Sequence, residues 1–228
     1  MTLAGRIDVH HHFTAPAWLD WAEARGVVSR EKLPWWTRWD LNAALEIMDK
    51  TGIATSVMTV AMLGRLRERA ERQESATVAL RAAADVVEAN PTRFAFFTPV
   101  FLDDLELSSW SVRHGLDELG AIGVSTRTSV NGVFLGDESH DRLLRELNER
   151  SAVISTHPME VAVPGKDGGD GLPGMPPFVC DFLLDTTRAA INLIRNGTLD
   201  RYPNLSFILP HGGGFLPYIC LLYTETGP

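Results

Sequence analysis

Short apolar runs alternating with amphipathic stretches over 228 residues predict an α/β fold on a parallel sheet, of the α/β barrel type. Three observations lead there. The apolar runs are mostly continuous, as in strands buried on both faces. Histidines recur at the carboxyl ends of three of these runs, the rim where a barrel collects its catalytic side chains. The first run ends in histidines, where a doubly wound sheet would carry a glycine-rich phosphate turn.

The first predicted strand is Ile7-Asp8-Val9, running into His10-His11-His12. Alternate strand side chains share a face, so His10 and His12 point together and His11 points away. Trp35, Trp36 and Trp39 then crowd a loop around Pro34. Leu41, Ala44, Leu45 and Met48 have helical spacing, with Asp40 as N-cap and Gly52 as the stop. A second strand covers Ala54 to Ala61. Leu80, Ala83, Ala84 and Val87 mark the next helix, ended by Pro91. Further strands are predicted at Phe94–Phe101, Ala121–Thr126, Ala152–His157 and Leu205–Leu209. Between them, Leu143, Leu144 and Leu147 follow a cap at Ser139. Ala190, Leu193 and Ile194 follow a cap at Thr186 or Thr187, with Gly197 as the stop. Met159 to Pro177 is rich in Gly and Pro and is expected to be a loop at the active rim, placed to serve as a lid.

Composition narrows the function. Hydrophobic residues make up 45% and charged residues 22%, enough for the core of one domain. A net charge of -8 gives no footing for nucleic acid. No apolar run reaches the ~18 residues of a membrane helix, and no signal peptide is visible. Two cysteines without a CxxC pair suit a reducing compartment, so a cytoplasmic protein is expected.

Two imidazoles side by side at a strand end form half a site for a divalent metal. His157, closing the fifth strand before Pro158, is the candidate third ligand. His211, before Gly212-Gly213-Gly214, is the candidate acid, base or electrophile. A lone strand-end histidine is commonly structural; here four of the seven histidines fall on one predicted rim. His114 and His140 are expected to be solvated, and His11 packed or supporting the ligands. Arg127, after the fourth strand, is the candidate cation for a substrate carboxylate. Trp35, Trp36 and Phe178 are candidate walls for an aromatic substrate.

Ile7-Asp8-Val9-His10-His11-His12, Thr156-His157-Pro158 and Leu209-Pro210-His211-Gly212-Gly213-Gly214-Phe215-Leu216-Pro217-Tyr218 together resemble the amidohydrolase superfamily. Gly132-Val133-Phe134-Leu135-Gly136, Asp185-Thr186-Thr187-Arg188-Ala189 and Arg201-Tyr202-Pro203-Asn204 are similar to its aminocarboxymuconate-semialdehyde decarboxylase-like branch, in particular to 6-methylsalicylate decarboxylases. The resemblance implies a (β/α)8 TIM barrel holding one divalent metal on His10, His12 and His157, with His211 catalytic and a last aspartate ligand at the end of strand eight. It implies non-oxidative decarboxylation of a small aromatic or unsaturated carboxylic acid. A metal-dependent hydrolase of a lactone, amide or ester is the alternative on the same ligands. Three imidazoles favour zinc over manganese. Only six strands are predicted, and Leu221 to Pro228 does not resemble the family's continuation. A C-terminally truncated barrel lacking the aspartate is therefore expected, with low stability or completion by another chain; a homodimer is a candidate assembly, and a catalytically impaired remnant is the second alternative.

Overall fold

The structure is a computed structural model in which residues 5–62, 66–159 and 175–219 are described. The chain forms two compact units: Met1–Pro99 with Trp110–Val124, and Val100–Ser109 with Ser125–Pro228.

In the first unit β1 (Arg6–Phe13) is followed by α1 (Pro16–Ala24), α2 (Leu41–Thr51), β2 (Ile53–Val60), α3 (Arg69–Ala89) and β3 (Phe94–Pro99). β1 pairs with β2, and β2 with β3, all parallel. α2 starts where the sequence predicts: the Asp40 carboxylate accepts from the Ala43 N–H at 2.8 Å. It stops at Gly52, whose φ of 71° is left-handed and suits glycine. Phe13, Trp18, Met48, Met58, Leu80, Phe94 and Phe96 form this unit's core. The Trp18 indole N–H donates to Ser75 Oγ at 2.8 Å, so the buried ring keeps its hydrogen bond. α1 is not among the elements predicted from the sequence. It opens with Pro16 and buries Trp18, Leu19, Trp21 and Ala22.

α4 (Leu105–Val112) and β4 (Gly123–Arg127) each include residues of both units. The second unit continues with a small antiparallel pair, β5 (Ser129–Val130) and β6 (Val133–Phe134). It then runs through α5 (Asp141–Glu149), β7 (Val153–His157), α6 (Asp181–Arg195), α7 (Thr198–Arg201) and β8 (Ser206–Ile208), with β7 and β8 parallel. Leu143, Leu144 and Leu147 of α5 are buried, as are Ala189, Ala190 and Leu193 of α6.

The main strands follow the hydrogen-bonded order β1-β2-β3-β4-β7-β8. Each lies beside the next in sequence, without the reversal of order that defines a doubly wound sheet. The α/β prediction of the barrel type and its six strands are thus borne out. β3 and β4 are buried at nearly every position, as their continuous apolar runs imply.

Two predicted helix starts are corrected. Ser139 does not cap α5: it sits in a short 3-10 turn (Glu138–His140) capped by Asp137, whose side chain accepts from the Ser139 N–H at 3.0 Å, and α5 itself follows His140 without a side-chain cap. α6 begins at Asp181, ahead of Thr186 and Thr187. Thr187 bonds back to the Leu183 carbonyl at 2.7 Å, which lets a threonine sit inside a helix. Among the described residues no helix is long and apolar enough to cross a membrane. Most of the predicted lid, residues 160–174, and the last residues, 220–228, lie outside the described residues.

Candidate metal and acid-base site

The first unit contributes the end of β1. Opposite β2, Asp8 pairs with Ser56 and His11 with Met58, so β1 carries one extra residue between them. Such bulges re-aim side chains, often beside active sites. Inside this one, the Asp8 carboxylate accepts from the His10 N–H at 3.0 Å. His10 and His12 lie on the exposed side with rings stacked, centroids 5.0 Å apart at 9°. Their Nε2 atoms stand 3.1 Å apart. A cation at the usual ~2.0–2.1 Å from each would subtend about 95–100° between them, within the range of common coordination geometries. Burial lowers the His10 pKa, against the pull of Asp8, which favours the neutral ligand form.

His11 faces the other way, as predicted. Its Nε2 accepts from the Trp39 indole N–H at 2.8 Å, so Nδ1 bears the proton and faces Asp8 Oδ2 at 3.4 Å. Trp39 packs edge-on against Phe13 at 4.7 Å. Asp8 therefore braces His11 and the bulge. Its pKa is lowered by the His11 hydrogen bond, against burial, with the His10 N–H assisting.

The second unit brings His157 and His211 together. His157 ends β7, and its Nδ1 lies 2.6 Å from the Pro158 carbonyl. A carbonyl only accepts, so Nδ1 carries the proton and Nε2 presents its lone pair. The His211 ring meets the His157 ring edge-on at 5.2 Å. Phe182 of α6 lies 5.8 Å from both rings. His211 has a φ of 55°, and Gly212, Gly213 and Gly214 all have positive φ. Arg127 closes β4; the N–H of the next residue, Thr128, donates to the His157 carbonyl at 3.2 Å.

Several expectations change. His140 is 2% exposed, not solvated, and burial lowers its pKa against the charges of Asp137 and Asp141. His114 is half-buried, stacked on Trp110 at 5.2 Å with Nδ1 2.7 Å from Glu118. Trp35 and Phe178 are largely exposed, at 80% and 62%. The aromatic ring against His157 and His211 is Phe182, which is not one of the predicted wall residues. Asp185 has no predicted role either, although this acid sits four residues before Ala189 on the apolar stripe of α6.

The profile of the amidohydrolase family matches residues 7–221. "Decarboxylase yanB" of Aspergillus niger is 33% identical over 226 residues, covering 94% of this chain and 60% of its own length. "6-methylsalicylic acid decarboxylase acuB" of Aspergillus aculeatus is 31% identical over 223 residues, covering 94% of this chain and 64% of its own. This chain thus spans less than two thirds of these relatives. A crystal structure of a dihydroxybenzoic acid decarboxylase from Polaromonas, with bound manganese and the inhibitor 2-nitroresorcinol, shares the fold. Its TM-score is 0.71 at 21% identity, over 94% of this chain and 68% of its own.

Proposed function

The chain belongs to the amidohydrolase family, and on that premise we propose that it acts as a divalent-metal-dependent, non-oxidative decarboxylase of a small aromatic acid. Relatives named as 6-methylsalicylic acid decarboxylases suggest the substrate class. The observation that carries most weight is the His10–His12 pair, with Nε2 atoms 3.1 Å apart at the end of β1.

His10, His12 and His157 are the proposed ligands, each able to offer a neutral imidazole nitrogen. A divalent metal bound there would supply Lewis-acid stabilisation and orientation to the substrate's carboxylate and neighbouring oxygen. Zinc suits the three imidazoles, and manganese, the metal of the Polaromonas structure, suits a site with added oxygen ligands. Arg127 pairs with the substrate carboxylate. His211 gives a proton to the ring carbon bearing that carboxylate. The carbon–carbon bond then breaks, its electron pair restores the aromatic ring, and carbon dioxide leaves. Phe182 keeps an apolar wall beside His157 and His211. The cysteine usage suits a cytoplasmic setting.

The test couples elemental mass spectrometry of dialysed protein with carbon dioxide release from 6-methylsalicylate and related hydroxybenzoates. About one metal per chain and carbon dioxide release are expected. His157→Ala should abolish metal binding, and His211→Ala should keep the metal and lose turnover. A protein that takes up no metal on reconstitution, or hydrolyses lactones or esters without releasing carbon dioxide, overturns the assignment. If His211→Ala also empties the site, the division of roles falls.

A further inference from the structure

Asp185 places an acid where an apolar side chain would pack. It is 2% exposed, and its Oδ2 accepts a hydrogen bond from the Thr128 hydroxyl. Its Oδ1 is buried with no hydrogen-bond partner among the described residues. Burial pushes its pKa up, against the Thr128 hydrogen bond and the Arg188 charge. Burying a carboxyl with one oxygen unsatisfied is unfavourable, so helix packing alone gives no reason for an acid here.

The reason lies in what it grips. Thr128 is 1% exposed and directly follows Arg127. Its N–H donates to the His157 carbonyl at 3.2 Å, and its own carbonyl accepts from the Leu135 N–H at 3.0 Å. The Asp185 bond adds a third tie, from a residue 57 positions away. The same stretch of α6 holds the rest of the second unit's histidine cluster. Phe182, one turn earlier, lies against His157 and His211. Thr187, two residues later, accepts the Phe215 N–H at 2.7 Å, just past the glycines that follow His211.

We propose that Asp185 is a positioning residue: by holding Thr128 it sets the end of β4, and with it Arg127 and the backbone seat of His157, in register with the His211 loop held by the same helix. Its effect on turnover presupposes the decarboxylase function proposed above; its effect on histidine geometry does not.

The experiment therefore has two readouts on the full chain. The first is the ring nitrogen chemical shifts of His157 and His211 in metal-free protein, with His114 as the internal control. The second is kcat and KM for carbon dioxide release from 6-methylsalicylate. Asp185→Ala and Thr128→Val should move the His157 and His211 signals alike and leave His114 in place. Each should lower kcat/KM by about 10–100-fold, the range for partners that orient ligating groups. The double variant should be no worse than either single one. Asp185→Asn and Thr128→Ser keep the hydrogen bond and should stay near the wild type in both readouts. Thermal melts identify any variant that does not fold, and Thr128→Val then stands in for Asp185→Ala.

Unmoved His157 and His211 signals in Asp185→Ala and Thr128→Val, fully additive losses, or an Asp185→Asn variant as impaired as Asp185→Ala would each overturn the proposal. If the signals move as expected but the wild type releases no carbon dioxide, the positioning role stands and the decarboxylase assignment falls. If the wild type turns over but Asp185→Ala changes neither readout, the reverse holds.

Discussion

Replacing Gly214 with alanine tests how the His211 loop is held against α6. Gly214 has φ 65° and ψ -131°, a conformation open to glycine and strained for other residues. A Cβ there would stand 2.3 Å from the Leu183 carbonyl oxygen and 2.6 Å from Thr187 Oγ1. Neither atom can retreat cheaply. The carbonyl belongs to helix backbone, and Thr187 Oγ1 both donates to it and accepts from the Phe215 N–H, each at 2.7 Å. The backbone strain costs about 1–3 kcal/mol, the overpacking about 1–3 kcal/mol, and loss of the Phe215 bond about 0.5–1.5 kcal/mol. Since one movement relieves all three in part, a destabilisation of about 3–5 kcal/mol is expected, a large share of the ~5–15 kcal/mol that holds a domain folded.

Gly213→Ala is the matched control. Its φ is 80°, but the nearest atom to an added Cβ is Pro217 Cδ at 3.9 Å. It should cost only the conformational strain, about 1–2 kcal/mol. Urea unfolding of wild type and both variants, followed by tryptophan fluorescence, measures the difference. A Gly214→Ala variant within about 1 kcal/mol of Gly213→Ala would show that the tight seat on Leu183 and Thr187 does not hold the loop.

In the first unit, Ser75→Ala should cost about 1–3 kcal/mol, because it strands the Trp18 N–H in the core; a denaturation midpoint equal to wild type would contradict this. Trp39→Phe keeps a ring against Phe13 but removes the donor to His11 Nε2. It should weaken metal uptake by about 10-fold or more with only a small loss of thermal stability, measured by metal titration and calorimetry. His140 carries the pH dependence: its folded pKa lies below the ordinary value of 6.5, so the unfolded chain binds more protons in that window. Its contribution to stability is therefore intact above pH 6.5 and lost as pH falls towards the folded pKa. Melts of wild type against His140→Asn should diverge on that side and converge above it.

What the sequence determined by itself was whatever rests on short-range periodicity. The two-residue period of a strand puts His10 and His12 on one face and His11 on the other, and the structure keeps that division. Asp40 and Gly52 bound α2 because capping and left-handed backbone are local preferences. The barrel-type strand order followed from strand–helix alternation and the missing phosphate turn. Tertiary structure decided what depends on which distant segment packs where. Trp39 reaches His11 across 28 residues, and Thr128 reaches Asp185 across 57. Nothing near His140 signals that its ring is buried, and nothing near Phe182 signals that it, rather than Phe178, faces the histidines. Residue type and spacing fix the direction of a side chain along its own element. Its partners and burial are set only when the elements pack, and there a polar group must find a matching one or bear the cost of desolvation.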